Sequence, residues 1–198
     1  MPVETHLLIV GLCIGAAWLA WAISWLAAAA WASRPANRPP LREETAYRVL
    51  TIAGAALMFV QFRDVTNWQL LWITPRWLQW VLLAVEIAGF AFCWWARLHL
   101  GTLWSARVTR KDDHRIVDSG PYAIVRHPIY TGLIAALIAT VLAFAGPINI
   151  AGCAILIVSF VLKARLEERF LKQELGAEAY ESYQRRVPML VPFWPMRG

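Results

Sequence analysis

Charge is scarce in this sequence. Asp, Glu, Lys and Arg make up 16% of its 198 residues, and neither residues 7–32 nor residues 129–162 contain one. Hydrophobic residues reach 59%, against a usual ~45–50%. Because the excess comes in blocks, it points away from a large soluble core and toward a bilayer. Cysteine is also rare. Cys13, Cys93 and Cys153 each lie inside an apolar run without paired spacing, which excludes a disulfide framework and a zinc site; no metal site of any kind is expected. The six residues before the first apolar run lack Lys and Arg, and that run is too long for an h-region, so no cleaved signal peptide is expected. No internal repeat or low-complexity segment stands out. The net charge of +6 would suit nucleic acid, but its placement follows the positive-inside rule instead, and no nucleic-acid partner is expected.

The spans follow from the uncharged runs. Residues 7–32 would extend ~39 Å as helix, more than the ~30 Å hydrocarbon core, and form a first, tilted transmembrane helix. The connector 33–44 holds Pro35, Pro39 and Pro40 beside Arg34, Arg38 and Arg42. Residues 49–62 are apolar but short; extended back to Thr45, with Arg48 snorkelling, they make a second span. The third is 77–96, with Gln79 near its start and Glu86 near its middle. An ionisable group at that depth should face the protein interior with a partner, as a substrate-site or proton-handling carboxylate or as a neutral packing residue. Residues 129–162 would be ~51 Å long as one helix, and Gly146-Pro147 breaks them into a tight hairpin of two short arms, helices four and five. From Lys163 the chain reads as an amphipathic polar helix. Lys163–Glu167 and Glu168–Lys172 stand at i,i+4, Leu166, Phe170 and Leu171 are placed to pack, and Gly176 is a stop. A short helix over 177–185 and an extended, proline-rich tail end the chain. The expectation is an all-α integral membrane protein of about five transmembrane helices with a C-terminal helical hairpin. It forms a single membrane domain over 1–198, with N-terminal spans in 1–100 and the loop, hairpin and C-terminal helices in 101–198.

Orientation follows from the basic residues. Connector 33–44 has three arginines, the polar region 97–126 has six Lys or Arg, and the stretch from Lys163 has seven, whereas the opposite side has only Arg63 and Arg76. That asymmetry places the C-terminus and the 97–126 loop in the cytoplasm, with the N-terminus outside. Loops as long as 97–126 are usually functional.

Residues 120–132, GPYAIVRHPIYTG, concentrate the chemistry. Ser119-Gly120-Pro121 reads as a turn. His127, before Pro128, is pushed out of the helical region, and Pro128 opens a helix. The free N–H groups of that first turn, with Arg126 and His127 beside them, make a docking point for a carboxylate or phosphate. The alternative is a membrane-entry turn with Arg126 at the headgroups and Tyr122 and Tyr130 in an aromatic belt; the 12 tryptophans suit such belts elsewhere.

The string GPYAIVRHPIYTG, followed after the apolar hairpin by RLEERFLKQELGAEAYESYQRRVPMLVPF, resembles the isoprenylcysteine carboxyl methyltransferase family of integral-membrane methyltransferases, a group with phospholipid methyltransferase relatives. The resemblance covers roughly residues 108–193. It implies an enzyme using S-adenosyl-L-methionine in a cytosol-facing pocket, with cofactor contacts on His114, Arg115, Ile116, Val117, Tyr122, His127, Pro128, Ile129, Tyr130 and Glu167, and with Glu168 as the neighbouring candidate. A basic residue one helical turn before the glutamate contacts substrate in that family. Lys163 stands at that spacing, where an arginine is expected, and Arg165 is two residues on. The catalytic candidates are therefore Arg165, Lys163 and Glu168.

The implied reaction is methyl transfer to a lipophilic small-molecule or prenylated acceptor beside membrane lipid, foremost an isoprenylcysteine-like carboxylate. Phospholipid amine N-methylation is the alternative, followed by a reductase of the membrane sterol-reductase type. Residues 1–100 would then form the acceptor-binding half.

Overall fold

The computed structural model describes residues 3–28, 41–60, 71–101, 116–144 and 146–194. The described residues form six α-helices and a 3-10 turn: α1 (Val3–Ala28), α2 (Leu41–Val60), α3 (Arg76–Leu100), the turn Gly120–Ala123, α4 (Pro128–Phe144), α5 (Pro147–Leu175) and α6 (Ala177–Arg186). The helix starts and stops fall on the punctuation of the sequence. Pro128 and Pro147 sit in first turns, where a missing N–H costs little, and Gly176, at φ 95°, ends α5.

Two long helix pairs make the bundle, α3 along α4 and α2 along α5, with α1 laid against α3. Each pair has a crossing that only glycine permits. A Cβ on Gly89 of α3 would lie 2.6 Å from the Gly132 carbonyl oxygen of α4, and one on Gly54 of α2 would lie 2.9 Å from Leu156 Cγ of α5. Bare backbones in close approach gain van der Waals contact where apolar lipid offers no competing hydrophobic drive. Trp18 of α1 ties the pairs together. Its ring meets Phe59 and Phe90 edge-on at 5.2 and 4.8 Å, and its Nε1 donates to Thr140 Oγ1 at 3.0 Å.

Among the described residues three helices are long and apolar enough to cross a membrane, over Thr5–Ala28, Arg76–Leu100 and Pro147–Glu174; Pro128–Phe144 is a shorter apolar helix. The chain is a multi-pass membrane protein. The second expected span differs most from its reading. α2 starts at Leu41, four residues earlier than the extended reading, because Glu43 and Glu44 fall in its first turn, where carboxylates favour the helix dipole. The hairpin turns at Gly146-Pro147 as expected, but its arms are unequal, 17 and 29 residues. The polar segment from Lys163 is the continuation of α5, which at ~1.5 Å per residue carries its charged turns well past the apolar stretch.

Glu86 faces the interior with a partner, as its depth demands. It is 0% exposed, and its Oε2 lies 3.1 Å from Thr140 Oγ1. Thr140 stands ten residues along α4 from Tyr130, about 15 Å at helical rise, so this polar contact is separate from the site below.

Candidate functional site

The site forms where α4 begins and α5 leaves its apolar stretch. Ser119 is extended and Gly120 takes φ +57°, a conformation that a side chain resists. A Cβ there would also meet His99 Cε1 at 2.8 Å. His99, at the end of α3, fixes the turn through Ser119 Oγ at 2.9 Å and lies over Tyr122 at 6.3 Å. The turn then delivers Arg126 and His127 just ahead of α4.

Their backbone N–H groups donate to the tail, Arg126 to the Pro188 carbonyl at 2.8 Å and His127 to the Met189 carbonyl at 3.1 Å. The Thr131 hydroxyl adds a 2.6 Å bond to the Leu190 carbonyl. The tail is therefore a strap across the start of α4, where the sequence suggested only an extended end. Arg126 tightens it. Its Nε donates to Glu168 Oε1 at 2.7 Å, and its Nη1 donates to the carbonyls of Gln184 (3.1 Å) and Val187. The positive charge expected beside the helix start is thus committed within the fold.

Five side chains converge beside the strap: His127, Tyr130, Lys163, Glu167 and Glu168. His127, 7% exposed, has Nε2 3.1 Å from Glu168 Oε1 and Nδ1 3.4 Å from Glu167 Oε2. Burial disfavours the imidazolium, but the two carboxylates outweigh it through hydrogen bonds and charge, so the His127 pKa lies above its ordinary value. The Tyr130 hydroxyl donates to Glu167 Oε1 at 2.6 Å. Its ring stacks with His127 and with Phe160, each centroid 5.5 Å away and the planes within 16° and 8° of parallel. Lys163, one turn before Glu167 on α5, holds its Nζ 5.5 Å from the Tyr130 ring and 5.7 Å from the ring of Tyr47.

The sequence-predicted residues divide accordingly. The structure brings together His127, Pro128, Ile129 and Tyr130 with Glu167, Glu168 and Lys163. Glu168 is held three ways, by Arg126, His127 and the Gln184 amide at 2.6 Å, whereas Glu167 is half-buried with its second oxygen less constrained. Lys172 pairs with Glu181 at 3.2 Å rather than with Glu168. Arg165 is exposed and lies away from the cluster. Tyr122 is buried beneath the turn, its carbonyl taking a 2.7 Å bond from the Tyr183 hydroxyl. Ile116 packs on Tyr180, Tyr183 and Val187, and Val117 is half-buried next to it. His114 and Arg115 lie outside the described residues. Sequence reasoning missed Gln184, Val187 and Tyr47. The first two act in part through main-chain carbonyls, which no side-chain pattern announces. Tyr47 stands on a helix far upstream, although its aromatic ring at the charged start of α2 was a visible signal. Among the described residues no group of three His, Cys, Asp or Glu side chains converges as a metal site would.

A helical multi-pass membrane protein with a carboxylate–imidazole–tyrosine cluster at the mouth of a helix hairpin is the class that fold and site define. Comparison with known proteins narrows it. The profile of the isoprenylcysteine carboxyl methyltransferase (ICMT) family matches residues 80–173. The chain is 34% identical over 88 residues to protein-S-isoprenylcysteine O-methyltransferase B of Arabidopsis thaliana, covering 44% of each protein. It is 33% identical over 166 residues to a methanethiol S-methyltransferase of a Pseudomonas species, covering 78% of this chain and 61% of that one. The solved structure of the eukaryotic intramembrane Ras methyltransferase ICMT superposes with a TM-score of 0.53 at 25% identity, over 74% of this chain and 52% of the other. Over residues 80–173 the chain is thus similar to the isoprenylcysteine carboxyl methyltransferase family. It spans 44% to 61% of the length of these relatives.

Proposed function

We propose that this protein is an S-adenosyl-L-methionine-dependent membrane methyltransferase acting on a lipophilic acceptor, foremost the carboxylate of an isoprenylcysteine-like molecule. The observation that carries the reading is the convergence of α4 and α5, in which Tyr130 donates to Glu167 at 2.6 Å while His127 bridges toward both glutamates. Two segments separated by an entire apolar hairpin are held as one polar site at its mouth.

The residues present fit the cofactor by their donor chemistry. Ile129 and Tyr130 occupy the first turn of α4, whose N–H groups lack intrahelical partners and suit an amino-acid carboxylate. Glu167 suits an ammonium or ribose hydroxyls. The ring faces of Tyr130 and Tyr47 already carry a cation, the Lys163 ammonium, so the site tolerates positive charge against aromatic faces, as a sulfonium requires. S-adenosyl-L-methionine, when bound, supplies an electrophilic methyl group. The protein orients: His127 and Tyr130 fix Glu167, Lys163 offers a cation to the acceptor's anionic group, and the surrounding apolar helices exclude water. A carboxylate is already nucleophilic, so positioning and desolvation carry the rate and no strong base is needed. The N-terminal helices α1 to α3 form the acceptor-binding half, and the site and C-terminus face the cytoplasm, as the basic residues of the 97–126 loop and the tail argue.

A thiol acceptor is the second reading. It is favoured by the Pseudomonas relative, whose alignment extends over 166 residues and so includes N-terminal helices. Thiol or amine methylation would additionally need a group to take a proton.

Calorimetric titration of S-adenosylmethionine and S-adenosylhomocysteine into the detergent-purified protein tests the reading, with Glu167→Ala as control. Saturable binding that the variant loses is the expected result. A folded wild-type protein that binds neither would overturn it.

A further inference from the structure

The family match begins at residue 80, yet one side chain of the site comes from well before it. Tyr47, in the second turn of α2, is 6% exposed and packs on Leu166 and Phe170 of α5. Its backbone is anchored to α5 as firmly as its ring. The Tyr47 carbonyl oxygen accepts from the hydroxyls of Thr51 and Ser159, each at 2.8 Å, and those two hydroxyl oxygens lie 2.6 Å apart. Ser159 is one helical turn before Lys163, and Leu166 and Phe170 follow it, so the clamp brackets Lys163 from both directions along α5.

The Lys163 ammonium lies 5.7 Å from the Tyr47 ring and 5.5 Å from the Tyr130 ring, within the ~6 Å reach of a cation–π contact. Tyr130 is itself held in place, stacked with His127 and Phe160 and with its hydroxyl on Glu167. A lysine side chain has four rotatable carbons and holds no fixed direction unless its surroundings impose one. Two aromatic faces, contributed by α2 and α4, help impose it here beside the Glu167 charge one turn on. The family pattern places at this position an arginine, whose rigid fork is pre-organised; a lysine in its place gains more from such a cradle.

We infer that Tyr47 is a positioning residue: with Tyr130 it holds the Lys163 ammonium between two ring faces, at the point where the acceptor's anionic group docks. The inference rests on the methyltransferase reading for the last clause only; the cradle itself is independent of it. It also gives α2 a part in acceptor recognition, which the matched segment alone would not supply.

The test uses the full chain in detergent and compares wild type, Tyr47→Phe and Tyr47→Leu. Leucine keeps apolar packing on Leu166 and Phe170 but removes the ring face; phenylalanine keeps both. Three quantities are read: the modification rate of the Lys163 amine by an amine-reactive reagent, followed by peptide mass spectrometry; the dissociation constant of S-adenosylhomocysteine; and kcat and KM for N-acetyl-S-farnesylcysteine. Tyr47→Leu is expected to raise both the Lys163 modification rate and the acceptor KM by about 2- to 30-fold, the range a cation–π contact spans. The dissociation constant and kcat should move far less, and Tyr47→Phe should restore both altered values. An unchanged modification rate in Tyr47→Leu overturns the inference, and so does a Tyr47→Phe variant as impaired as Tyr47→Leu. If the wild type transfers no methyl group while Tyr47→Leu still exposes Lys163, the functional reading fails and the cradle stands.

Discussion

Tyr130 and Glu167 lie 37 positions apart and share a 2.6 Å hydrogen bond across the mouth of the α4–α5 hairpin. Tyr130→Phe removes the bond and keeps the ring stack. Loss of one such bond to a charged acceptor should lower stability by about 1.5–3 kcal/mol. S-adenosylhomocysteine binding should weaken in parallel, because the Glu167 carboxylate loses its orientation. Thermal unfolding and calorimetric titration of the same preparation check both.

The Arg126–Glu168 pair is expected to matter for the strap more than for the chemistry. Glu168 takes bonds from Arg126, His127 and Gln184, and Arg126 carries the tail through the carbonyls of Gln184 and Val187. Removing one partner of a buried pair typically costs about 3–5 kcal/mol, mostly for the charge left behind. Arg126→Met should therefore speed tryptic cleavage at Arg185 and Arg186, read by timed digestion and mass spectrometry. An unchanged cleavage rate would show the strap to be held without Arg126.

Stability should depend on pH through His127. Its folded-state pKa is raised, because Glu167 and Glu168 outweigh burial. A raised pKa means that the folded state binds the proton more tightly than the unfolded chain does. The stabilisation is therefore complete below the ordinary histidine value of ~6.5 and is lost as pH climbs through the raised one. The melting temperature of the detergent-solubilised protein should fall across that interval by roughly 2–4 °C per kcal/mol lost. In His127→Gln that component of the slope should vanish.

Glu86 should tolerate an amide. Glu86→Gln preserves a polar partner for Thr140 at the same reach and, being uncharged, adds no desolvation cost; its melting temperature should stay close to wild type. Glu86→Leu removes one bond while Thr140 keeps the Ala136 carbonyl and the Trp18 indole, and should cost about 0.5–1.5 kcal/mol. Gly132→Val, in contrast, forces apart backbones that meet at Gly89 and Cys93, and should lower the yield of folded protein outright.

Much of this architecture was legible in the residues. Pro128, Gly146-Pro147 and Gly176 mark helix boundaries because they restrict or free the backbone locally, and local constraints survive folding. The pairing of the RHPxY segment with the EE pair was legible through the family resemblance. What could not be read was tertiary choice. At i,i+4, Glu168 and Lys172 can pair in an isolated helix, but a buried guanidinium and imidazole outcompete an exposed ammonium, and Lys172 turns to Glu181. The role of Arg126 was invisible because its acceptors include main-chain carbonyls of Gln184 and Val187. Tyr47 lies 116 positions before Lys163, and only the α2–α5 pairing brings them together.

The strap across α4 also sets an order of assembly. The donors at Arg126 and His127 are synthesised some sixty residues before the carbonyls of Pro188 and Met189 that receive them. The hairpin between must enter the bilayer first. A nascent chain halted before residue 184 would be anchored in the membrane with Glu168 and Arg126 already paired but with no tail to close over them. A protein can thus be correctly inserted and still unfinished, its site complete only once residues 188–190 have paired with the start of α4.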